Sequence, residues 1–89
     1  MAKITNEHML LNWLKLRVDR NNTIVASHHI QLEFPQYVNA FWDSMILPDT
    51  ASRTWRKIRE TRSFEQIGIE NVVEQKTDSK EAHWALIRS

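Results

Sequence analysis

The sequence predicts an α+β domain in which three helices are closed by a C-terminal two-stranded β-hairpin. Three observations predict it. Apolar residues recur at helical spacing in three segments, about 5–19, 35–46 and 50–62. After Gly68, the single glycine of the 89-residue chain, the period shortens toward two. Two strand-like runs then follow, split by the polar stretch at 76–80.

Thr5 is placed to cap the first helix through its hydroxyl, with Glu7 in the first turn, where a carboxylate suits the helix dipole. Met9, Leu10, Trp13, Leu14, Leu16 and Val18 then make a wide apolar face. Asp19-Arg20-Asn21-Asn22 ends the helix in a turn. Thr23-Ile24-Val25 reads either as a short strand or as the start of the next helix, and Ser27 as the cap of a turn holding His28 and His29. Pro35 disfavours a helix running through Phe34 but suits the first turn of a new one. The second helix is therefore expected at 35–46, with Val38, Phe41, Trp42, Met45 and Ile46 inward. Leu47-Pro48-Asp49 breaks it, and Asp49 or Thr50 caps the third helix at 50–62. Ile69 to Gln75 and Glu81 to Ile87 are the two strands, with Ala82, Trp84 and Leu86 sharing a face.

One domain, 1–89, fits this length. A domain so small depends on good packing, and Trp13, Trp42, Trp55 and Trp84 bring large apolar areas to it from every part of the chain. Each tryptophan holds an apolar-periodic position, so core packing is expected of them rather than base stacking. The chain has no cysteine, which excludes disulfides and thiolate zinc sites and suits a cytoplasmic setting. The start does not read as a signal peptide, and no apolar run approaches a membrane span, so no membrane partner is expected.

The net charge of +1 hides an uneven distribution. Residues 53–62 carry Arg53, Arg56, Lys57, Arg59 and Arg62 against Glu60, a sum of +4. The stretches before and after them sum to −1 and −2. Positive charge is thus focused on the third helix and set against a mildly acidic body. On that helix Ala51, Thr54, Trp55 and Ile58, with Arg62 at its end, line one side. Ser52, Arg53, Arg56, Lys57 and Glu60 line the other, and Arg59 lies on the flank. Arginine can bond the O6 and N7 of guanine in a major groove. Ser52 and Thr50 can donate to phosphates near the helix N-terminus. Glu60 is also spaced to pair with Arg56 or Lys57, as on an ordinary solvated helix.

The segment LPDTASRTWRKIRE at 47–60, followed by FEQIGI at 64–69 and a terminal hairpin, resembles the winged helix-turn-helix superfamily. The likeness is in the order of elements along about 80 residues, and it departs from the usual pattern at 27–35, where Pro35 delays the second helix. The resemblance implies a winged-helix unit that binds double-stranded DNA. It implies that Ser52, Arg53, Arg56 and Lys57 read bases and that Arg59 and Arg62 lie beside the backbone. Lys76, Thr77, Ser79 and Lys80 would form the wing tip, touching phosphate or an adjacent minor groove. The expected role is a small prokaryotic or phage regulator of transcription or replication, acting as a homodimer through the apolar face of the first helix.

Asp78, Glu70, Glu74 and Glu81 in the hairpin would repel phosphate if they faced a duplex. They favour the alternative of a phage-type protein whose basic helix docks on an acidic host protein and inhibits it. An enzyme is not expected: the single glycine leaves no phosphate-cradling loop, and no nucleophile motif is present. His28 and His29 point in different directions as neighbours, His8 and His83 are distant, and no cofactor or metal is expected.

Overall fold

A computed structural model describes residues 5–21, 23–75 and 82–88. The chain order is α1 (Asn6–Asp19), β1 (Ile24–Ala26), α2 (Ser27–Trp42), α3 (Pro48–Thr61), a 3-10 helix (Ser63–Ile67), β2 (Ile69–Gln75) and β3 (His83–Arg88). This is the expected α+β unit of three helices with a C-terminal hairpin wing. The short run at 24–26 resolves as a strand and enlarges the hairpin to a three-stranded antiparallel sheet of order β1-β3-β2.

Helix α1 begins as its sequence dictates, with the Thr5 hydroxyl accepting from the His8 amide at 3.2 Å. Its apolar residues Met9, Leu10, Leu11, Trp13, Leu14 and Val18 are all buried within the monomer. The expected dimer surface on this face is therefore spent on the core, and only Leu16 remains outside.

Helix α2 is the main departure. It runs unbroken from Ser27 to Trp42 with Pro35 in its interior, instead of starting at Pro35. An interior proline costs about 3 kcal/mol through a lost amide and a clash with the preceding turn. Ile30, Phe34 and Val38 lie four apart on one stripe that spans the proline, and all three are fully buried. Each such burial contributes about 1.5–3 kcal/mol, so together they outweigh the proline. Ser27 is not the cap: Ala26 holds that position, and its amide donates to Nδ1 of His29 at 3.3 Å. The helix ends early, at Asp43 in the left-handed region with φ 49°. Phe41 and Met45, expected inward, are 73% and 83% exposed.

Helix α3 starts at Pro48, where the missing amide costs nothing because first-turn amides lack helical partners anyway. The cap residue is Leu47, with no side-chain hydrogen bond, so neither Asp49 nor Thr50 caps it. Arg62 and Gly68 end α3 and the 3-10 helix in left-handed conformations, φ 55° and 82°. Glycine suits the second site, since a side chain there would be strained.

The hairpin pairs β2 with β3 in a register that sets Val72 opposite Leu86 and Gln75 opposite His83. On its other edge β3 takes β1, with Val25 opposite Trp84. Trp84 and Leu86 point into the core, as their alternation predicts. Phe34, Leu10, Leu14, Ile30 and Ile58 lie at its centre, roofed by the sheet residues Val25, Ile69 and Leu86. Arg88 pairs with Asp19 and ties the last strand to the end of α1.

Candidate nucleic-acid interface

The two sides of α3 separate as the spacing requires. Ala51, Thr54, Trp55 and Ile58 are buried, while Arg53, Arg56, Lys57 and Glu60 are exposed. The Thr54 hydroxyl, otherwise a buried polar group, donates to the Thr50 carbonyl at 2.8 Å. Trp55 meets Phe64 and Trp84 edge-on, with ring centroids 5.7 Å apart in both pairs. The outer face thus stands on an aromatic base that holds its direction.

Tertiary contacts then divide the cations. Arg53 and Arg56 remain on the open face. Lys57 does not pair with Glu60; its Nζ lies 2.9 Å from Glu7 on α1. With the lysine side chain 66% exposed, that pair adds little stability. It does cancel part of the charge on that edge of the face. Arg59 is half-buried rather than lying free beside the helix. Its guanidinium sits over the Trp84 ring at 4.2 Å and over Trp55 at 5.8 Å, bridging α3 to the sheet. Arg62 is exposed at the end of α3 and takes no part in the apolar anchor.

The small polar residues move as well. Ser52 is half-buried and accepts a 2.6 Å hydrogen bond from the Gln31 amide of α2. That bond joins α2 to α3. Thr50 is half-buried in the first turn, where Asp49 already supplies a carboxylate to the helix N-terminus and competes with any phosphate.

A cleft of about 280 Å³ runs beside α3, lined by Ser27 at the start of α2, by Ser52, Arg56 and Arg59, and by Ala82 and Trp84 of the sheet side. A second cleft, about 560 Å³, lies beyond the C-terminal end of α3 between Arg59, Arg62, Glu65 and Glu70. Arg59 borders both. The wing-tip residues Lys76, Thr77, Ser79 and Lys80 lie outside the described residues, as do Asp78 and Glu81.

Sequence reasoning missed Ser27, Gln31 and Glu7 as parts of this region. Ser27 reads in the sequence as the cap of a turn, with nothing to bring it beside α3. Gln31 and Glu7 carry no local signal, because each acts through a helix distant in sequence. His28 and His29 also differ from expectation, with ring centroids 4.3 Å apart. Among the described residues no group of three or more His, Asp or Glu side chains is arranged to hold a metal. No described helix is long and apolar enough to cross a membrane. The chain matches no family model, no curated protein and no solved structure.

Proposed function

We propose that the chain binds duplex DNA through the outer face of α3 and reads sequence there, as a small regulator of transcription or replication in a prokaryotic or phage setting. One observation carries this reading. Arg53 and Arg56 are exposed on a helix whose opposite side buries Ala51, Thr54, Trp55 and Ile58, within the sole segment of concentrated positive charge. A rigid apolar anchor with free arginines outward is what entry into a major groove requires. The narrowed reading set is Arg53 and Arg56, with Ser52 and Lys57 restrained by Gln31 and Glu7. Arg62 and the wing supply backbone contacts. Arg59 acts from its stack on Trp84 at the boundary of the two clefts.

The test is a fluorescence-anisotropy titration of the chain against random-sequence duplex at two salt concentrations. Binding is expected at about 50 mM salt and should fall steeply by about 200 mM, as displaced counterions require. A duplex titration flat at the lower salt would falsify the reading. The acidic-protein alternative, in which the exposed Arg53 and Arg56 dock on a carboxylate-bearing partner, would then gain.

A further inference from the structure

We propose that a second copy of this chain docks on the face between α1 and α2, in a two-fold arrangement centred on Leu16, Tyr37 and Phe41. A cleft of about 200 Å³ opens there, and every residue that lines it belongs to α1, its C-terminal cap or α2. Phe41 is 73% exposed and leans on Tyr37, with ring centroids 5.0 Å apart. Leu16, the one apolar residue of α1 left outside the core, borders the same cleft. The row Glu33, Tyr37, Phe41 is centred about 120° round the helix from Gln31, which faces α3. The surface is therefore separate from the basic face.

Charge decides the occupant. An isologous interface must complement itself, so it needs both signs around an apolar centre. Arg20 and Glu33 both border the cleft. Glu33 gives one oxygen, Oε2, to Arg17 at 2.6 Å and is 48% exposed, so Oε1 can accept from Arg20 of a second copy. The outer face of α3 is less suited to this, because Arg53, Arg56 and Lys57 outnumber Glu60 there and it has no exposed apolar centre.

The surface is also set in advance. Arg17 is held by Glu33, by the Ile24 carbonyl at 3.3 Å and by the Trp13 ring, 5.1 Å from its centroid. A side chain already fixed gives up little freedom on association. A standard interface takes about 800 Å² from each partner. That is roughly an eighth of the 6242 Å² surface of this chain, within reach of two neighbouring helices.

The inference stands apart from DNA binding, and its test involves no nucleic acid. Sedimentation equilibrium of the full chain up to about 1 mM should show a monomer–dimer equilibrium. Phe41→Asp should weaken it by about 30-fold or more, with helical circular dichroism unchanged because the ring is exposed. Arg20→Glu should weaken it by about tenfold or more, since two like-charged contacts would arise across the axis. A wild-type chain that stays monomeric throughout overturns the proposal. So does a dimer that survives Phe41→Asp, and an unaltered constant in Arg20→Glu overturns the two-fold pairing. If Phe41→Asp loses its helical signal, Arg20→Glu alone decides.

Discussion

Helices α2 and α3 each contain a proline, and they accommodate it in opposite ways. Pro48 opens α3 at a position where no helical amide is needed. Pro35 sits in the interior of α2, where an amide is lost and the preceding turn is crowded. The local rule prevails in α3 because nothing opposes it. It fails in α2 because Ile30 and Phe34, before the proline, bury on the same stripe as Val38 after it. Their outer faces differ in the same sense. That of α3 is polar and two of its cations are tied down by other elements, while α2 leaves Phe41 on its surface. Propensity fixes where an element starts when tertiary burial is indifferent, and burial decides when it is not.

Five substitutions break or sharpen that contrast. Trp55→Ala removes the aromatic base of α3 and should lower stability by about 3–5 kcal/mol, read by urea unfolding. No loss beyond about 1 kcal/mol would mean that the α3 anchor is not fixed by its buried side. Arg53→Ala and Arg56→Ala should leave unfolding unchanged and weaken specific duplex binding by about 1–3 kcal/mol each, with relaxed base preference. Equal losses on all sequences would instead make them backbone contacts. Pro35→Ala should raise the urea midpoint, with a gain of about 1–2 kcal/mol once the added freedom of the unfolded chain is counted. A drop would show that the proline ring itself packs usefully in α2. Lys57→Ala should change stability by less than about 1 kcal/mol, because its partner contact is solvent-exposed.

What was readable in the sequence was local. The Thr5 cap, the apolar anchor of α3, the change to a strand after Gly68 and the alternation through Trp84 and Leu86 all follow from residues a few positions apart, and the structure places each as expected. The course of α2 was not readable, because the burial that carries it past Pro35 comes from α1 and α3. Strand β1 was readable only as one of two alternatives, a short strand or a helix start, because the strand that pairs with it lies far along the chain. At the site, Arg53 and Arg56 were legible as exposed cations. The restraint of Ser52 by Gln31, of Lys57 by Glu7 and of Arg59 by Trp84 was not, since each joins separate elements.

The three residues of β1 also have a consequence for how the molecule is made. Among the described residues their only sheet partner is β3, and the Leu86 amide closes the ladder on the Thr23 carbonyl at 2.6 Å. A growing chain on the ribosome can coil α1, α2 and α3 as each emerges, but its sheet stays unfinished until β3 is made. Contacts so remote in sequence form late and slow the folding rate. During that interval β1 is an unpaired edge beside the apolar cluster it will cover, and the nascent chain is open to capture or cleavage there.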